Sequence, residues 1–136
     1  MPAAIERKLA QDPAKTAGAA LRTFFNIARD WKLSAEQAMT LLGFDERTRS
    51  TYFKWKRAPE SARLTREKLE RLSYIFGIYK SLQILLPNAE SADNWIHRPN
   101  DAPLFGGRSA LSRMLSGNVA DLYVVRQYLD AQRGWS

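Results

Sequence analysis

The 136-residue chain contains no cysteine, so neither disulfides nor thiolate metal sites are open to it, and nothing in it argues for an oxidising compartment. It also lacks a long apolar run. Every hydrophobic stretch is far below the ~18 residues that read as a membrane-spanning helix. The first residues show no charged-then-apolar pattern of a signal peptide, so a cytoplasmic protein with no membrane association is expected. Histidine occurs once, at His97 between Ile96 and Arg98-Pro99, and reads as a rim residue. No pair of side chains supplies the nucleophile and base of acyl transfer, and the carboxylates sit beside helix starts or basic residues. Gly106-Gly107 lies ahead of a short helical pattern, but without a preceding strand or a P-loop lysine it reads as a turn rather than a phosphate cradle. No enzyme, cofactor or metal centre is expected.

What the chain has is positive charge, unevenly placed. Residues Met1 to Leu86 carry 16 Lys and Arg against 9 Asp and Glu, whereas Pro87 to Ser136 carry 5 of each. Between Arg47 and Arg71 there are 9 basic residues and 3 acidic ones. Such density fits a surface that meets phosphates, and equally a solvated, solubilising face.

Periodicity gives an all-α chain. Residues 1–17 show no strong period and read as a tail. From Gly18 to near Lys32, Leu21, Phe24, Phe25, Ala28 and Trp31 recur at helical steps. Ser34 and Gln37 have the spacing of a capping box, opening a short helix that turns Ala38, Met39, Leu41 and Leu42 inward and stops at Gly43. Asp45 is a credible N-cap for a third helix through Lys56, and Pro59 limits its extension. Two short helices joined by a glycine turn, the second rich in Arg, Lys, Ser and Thr, have the arrangement of a helix-turn-helix. Of the rings in the third helix, Phe53 and at least one of Tyr52 and Trp55 are expected to anchor it. Arg47, Arg49, Ser50, Thr51, Lys54, Lys56 and Arg57 are then the candidates to meet DNA. Lys56 and Arg57 also complement the helix dipole, a purely structural role.

Thr65 caps the longest pattern, running to about Leu86. Its stripe of Leu69, Leu72, Phe76, Tyr79, Leu82 and Leu86, widened by Ile75, Ile78 and Leu85, calls for burial on two sides, and part of it suits a homodimer seam. Gly77 inside it suggests close packing or simple tolerance. A short helix from Asn88 to Ile96 follows, then helical patterns at Ser109 to Ser116 and Val119 to Gln132, with Asn118 and Asp121 as a capping pair. The expected partition is a tail (1–17), a helix-turn-helix domain (18–60), and a long helix with a small helical C-terminal domain (61–136).

The last third supplies Trp95-Ile96, Pro99-Asn100, Phe105-Gly106, Leu111, Leu115, Gly117, Leu122, Val125 and Leu129 in that order. In this it resembles the toxin-binding domain of the MbcA/ParS/Xre antitoxin family. The resemblance implies a type II antitoxin that neutralises a RES-domain toxin, an enzyme attacking NAD or transferring its ADP-ribose. It also implies binding to the operator DNA of its own promoter, and a homodimer. The toxin-binding residues it implies are Asp130, Gln132, Arg133, Gly134, Trp135 and Ser136 at the end of the final helix. Two alternatives remain beside it. Trp135 could fold back on Leu129 or Tyr128 as a local cap, and the chain could be a stand-alone regulator whose C-terminal segment serves dimerisation or another partner.

Overall fold

The computed structural model describes Arg7 and residues 12–134, and among these the architecture is all-α. The only β feature there is an isolated antiparallel bridge between Pro99 and Ser109. The helices are α1 (Pro13–Asp30), α2 (Ala35–Leu41), α3 (Arg49–Arg57), α4 (Arg66–Leu85), α5 (Ala89–Asn94), α6 (Ala110–Met114) and α7 (Val119–Gln132). Two compact units divide between Ser73 and Tyr74, so that α4 gives its first turns to one and the remainder to the other.

In the first unit α1 begins at Pro13, earlier than the Gly18 start that apolar periodicity suggests. The cause is local: the Asp12 carboxylate accepts the Lys15 amide at 3.2 Å, and Pro13 occupies a position where its missing N–H costs nothing. Leu21 and Phe24 of α1 and Trp31, the residue that ends it, are almost fully buried with Leu41 and Leu42. The capping box at α2 forms as expected, the Gln37 amide donating to Ser34 Oγ at 3.1 Å and the Ser34 amide to Gln37 Oε1 at 2.9 Å.

Gly43 then turns the chain at φ +81°, a left-handed conformation that costs glycine little. A Cβ there would also press on the side chains of Arg71 and Glu67, which pair with each other. From α4, the Lys68 ammonium donates to the Leu42 carbonyl at 3.0 Å and lies 4.1 Å from the centre of the Phe44 ring. It thereby caps a helix carbonyl left without an intrahelical partner. Glu46–Thr48 form a 3-10 turn before α3, closed by a reciprocal box in which the Thr48 amide donates to Asp45 at 3.1 Å and the Asp45 amide to Thr48 Oγ1 at 2.9 Å.

The anchors of α3 differ from the expected set. Tyr52 and Trp55 are buried, at 1% and 7% exposure, whereas Phe53 is half-buried. Residues three apart share a helix face, and position 53 lies about 100° round from 52. Phe44 packs edge-on against Tyr52 and Trp55, with ring centres 5.8 and 5.1 Å away, and makes that face a closed aromatic cluster.

In the second unit the deepest line of α4 is Ile75, Ile78 and Leu82, with Phe76 and Tyr79 half-buried. Gly77 is explained by Arg126, whose guanidinium side chain crosses the helix where a Cβ would stand. Asn88 caps α5 by accepting the Ser91 amide at 2.8 Å, and Ser109 caps α6 by accepting the Ser112 amide at 3.1 Å. Trp95, Phe105 and Tyr128 form a second aromatic cluster: Trp95 stacks on Tyr128 at 6.3 Å, and Phe105 meets Tyr128 edge-on at 5.3 Å.

The start of α7 corrects the expected Asn118–Asp121 capping pair. The Asn118 side chain accepts no amide of the helix, although it does hydrogen-bond the Asp121 side chain. Asp121 instead receives the Ser116 hydroxyl at 2.6 Å and Arg113 Nε at 2.9 Å, while Arg113 also donates to the Leu104 carbonyl at 2.8 Å. One carboxylate thus ties together α7, the turn before it, α6 and the loop at Leu104. The Ser116 hydroxyl, then Arg113, holds the Asp121 carboxyl below the usual carboxylate range against the opposing effect of burial.

Because the folded value is depressed, the stability Asp121 contributes is complete above the ordinary carboxylate pKa of about 3.9 and disappears as pH falls through the folded value. Asp121→Asn is expected to lower stability at pH 7 by roughly 1–2 kcal/mol. The gap between the two proteins in thermal unfolding should close between pH 5 and pH 2. A gap that stays constant across that range would show that the carboxylate charge plays no part.

Candidate functional site

The residues singled out for DNA cluster on and around α3. Ser50, Lys54 and Arg57 recur at helical steps on its exposed side, with Thr51 beside them, and all four are exposed. Arg47 projects from the preceding 3-10 turn with its side chain 92% exposed, 3.6 Å from the Asp45 carboxylate. Arg49 is more constrained, since it pairs with Glu36 of α2, lies 3.9 Å from Glu46 and rests 5.2 Å from the Phe53 ring centre. The hydrogen bond to Glu36 raises its already high pKa, so it is a fixed cation at every relevant pH. Lys56 is exposed and lies 6.0 Å from the Phe25 ring centre. Two edges of α3 are therefore defined: Ser50, Lys54 and Arg57 open to solvent, Arg49 and Lys56 leaning on the module.

Arg63 and Arg66 were not singled out from the sequence, yet both are exposed in the loop before α4 and in its first turn. The signal was present in the local charge density, but it carried no information about which cations would face outward.

At the other end of the chain, α7 brings Asp130 and Arg133 onto one buried hydroxyl. Ser81 of α4, with no exposed surface, donates to Asp130 Oδ1 and accepts from Arg133 Nη1, each at 3.3 Å. Arg126 adds an ion pair to Asp130 at 3.6 Å. Gln132 is exposed, and Gly134 ends the helix at φ +84° with its amide donating to the Ala131 carbonyl at 3.0 Å. Trp135 and Ser136 lie outside the described residues. Ser81 itself went unnoticed, although a serine inside an otherwise apolar stripe is the kind of residue that marks a buried polar contact.

Among the described residues no group of His, Cys, Asp or Glu could hold a metal ion, and no helix is long and apolar enough to cross a membrane. The Gly106-Gly107 segment spends its amides internally, Gly106 donating to the Ala102 carbonyl at 3.1 Å and Gly107 to Asn100 at 2.9 Å. His97 is exposed.

Comparison with known proteins places both regions. Residues 10–77 match the antitoxin Xre-like helix-turn-helix domain, and residues 81–134 match the antitoxin Xre/MbcA/ParS C-terminal toxin-binding domain. Neither is an enzymatic family. The chain is also 53% identical over 116 residues to the uncharacterized protein y4oB of Sinorhizobium fredii (strain NBRC 101917 / NGR234), a match covering 85% of each chain. No solved structure matches. The two domain matches, taken with the helix-turn-helix around Gly43 and the helical unit closed by α7, show that the chain belongs to the Xre/MbcA/ParS family of antitoxins.

Proposed function

We propose that this antitoxin neutralises a RES-domain toxin, an enzyme acting on NAD, through the end of α7, and that it represses its own operon by placing α3 on operator DNA in the cytoplasm. The observation that carries this reading is the order of the two matched domains, with the chain's whole excess of positive charge in the front part. In this division of labour residues 18–60 serve DNA and 61–136 serve the toxin.

On the DNA side, Ser50, Thr51 and Lys54 are the groups to face base edges, and Arg47, Arg49, Lys56 and Arg57 the groups to hold phosphates. Hydroxyls and short polar chains on the open face of a recognition helix read the major groove, while cations at its ends fix the register. A homodimer supplies the second half-site that such a helix needs for a palindromic operator.

On the toxin side, Asp130, Gln132, Arg133, Gly134, Trp135 and Ser136 form the proposed contact. Tryptophan and arginine dominate binding energy at interfaces because one buries a large rigid surface and the other makes several directed hydrogen bonds. Ser81 supports the reading by holding Asp130 and Arg133 in place, so that less side-chain freedom is lost on binding.

Two measurements test these halves separately. Operator affinity is expected to fall steeply with salt, and Arg47→Ala or Arg57→Ala each to reduce the log–log slope by about 1 while weakening all sequences alike. An affinity indifferent to salt would remove the DNA half. Deletion of Arg133 to Ser136 is expected to reduce neutralisation of a co-expressed RES toxin at least ~10-fold, the loss of one interface hot spot. The helical circular-dichroism signal and operator affinity should stay unchanged. Full protection of growth by the shortened chain would exclude the tail from the toxin contact.

A further inference from the structure

In the first unit α1 and α3 each set a ring and a cation one helical turn apart beside a single cavity. Phe25 and Arg29 stand four residues apart on α1, and Tyr52 and Lys56 four apart on α3, the spacing that places two side chains on one helix face. The Phe25 and Tyr52 rings meet edge-on with centres 5.8 Å apart, and the Lys56 ammonium lies 6.0 Å from the centre of the Phe25 ring. Leu33 and Ser34, before α2, and Ala38 within it join them around a cavity of about 200 Å³.

The polar groups of this cavity have donors to spare. Tyr52 lines it and is only 1% exposed, yet its hydroxyl makes no hydrogen bond with a described residue. A buried hydroxyl in that state has given up water without a replacement, a cost that an acceptor brought by a ligand recovers. Burial, and then the charge of Glu36, push its pKa up, so it stays a neutral donor. Ser34 Oγ accepts the Gln37 amide at 3.1 Å, but its own proton goes to no described residue. Arg29 meets Asp30 at 3.4 Å, a single contact that leaves most of its N–H donors available. No acidic residue among those described lines the cavity, and Glu36 is paired with Arg49.

Two cations and two hydroxyls above a floor of rings and aliphatic groups call for an acceptor-only head on a flat apolar body. The volume is below the ~300 Å³ at which pockets for drug-sized ligands begin, which limits that body to about one ring. We infer that this cavity binds a small aromatic carboxylate, its ring against Phe25 and Tyr52 and its carboxylate accepting from the Tyr52 and Ser34 hydroxyls beside Arg29 and Lys56. An inorganic anion would leave the ring faces unused, and an uncharged ring would leave the cations unused. Lys56 is also one of the proposed phosphate contacts, but binding of the acid is read on the chain without DNA and does not rest on that reading.

The test titrates the full-length chain, labelled with 15N, with benzoate at neutral pH and constant ionic strength. Saturable amide shifts centred on Ser34 and Ala35 are expected. Benzyl alcohol and inorganic phosphate should each bind at least ~10-fold more weakly, the worth of one hydrogen bond to a charged group. Tyr52→Phe keeps the ring and removes only the hydroxyl, so it should weaken benzoate by a similar factor and leave thermal unfolding unchanged. Lys56→Gln, at an exposed position, supplies a second reading: benzoate weakened about 3-fold with benzyl alcohol unaffected. Shifts that grow without saturating would overturn the inference, as would phosphate or benzyl alcohol binding as tightly as benzoate. A benzoate affinity unaltered by Tyr52→Phe or by Lys56→Gln would overturn it too.

Discussion

The Lys68 ammonium is half-buried, and burial by itself disfavours its charge and lowers its pKa. The Leu42 carbonyl and the face of Phe44 together replace part of the lost hydration. The geometry of the first unit follows from this contact. It closes the end of α2, holds Phe44 where it can receive Tyr52 and Trp55, and so fixes which side of α3 is covered. Arg71 and Glu67 reinforce it in the space left by the bare Cα of Gly43. The residues offered to solvent on α3 are those that this clamp leaves over.

The second unit solves a similar problem with a neutral group. Ser81, buried within the apolar side of α4, would be costly without partners, and it obtains two from α7. Asp130 and Arg133 are held as a consequence. Both clamps are polar side chains on α4 directed at a segment remote in sequence. In each, a buried polar group converts a merely hydrophobic contact into one with a single register, because sliding would leave a donor or acceptor unsatisfied.

The parts of this structure that were legible in the sequence are those whose cause is local. The box at Ser34 and Gln37, the Gly43 turn and the caps at Thr65 and Asn88 each depend on residues within four positions. The aromatic periodicity of α3 was visible too, but choosing Tyr52 and Trp55 over Phe53 needed the position of Phe44, which periodicity does not supply. Asn118 and Asp121 had the composition of a cap, yet Asp121 was drawn into a stronger set of donors from Arg113 and Ser116. Ser81, Asp130 and Arg133 lie 49 and 52 residues apart, and no spacing rule reaches that far. The family resemblance succeeded where the spacing rules stopped, because it compares the whole order of turns and helices at once.

The 3-10 turn ahead of α3 alters the shape of the surface that precedes the helix. Such a turn advances about 2.0 Å per residue with three residues to the turn, against about 1.5 Å and 3.6 in an α-helix. Arg47 therefore follows a different screw from Ser50, Lys54 and Arg57 and does not prolong their row. Any cylinder laid along α3 would meet it as a separate outrigger, offset in both height and azimuth. Rotating the helix in place would move the row without carrying Arg47 by the same arc, which makes the pair a gauge of approach angle rather than of charge alone.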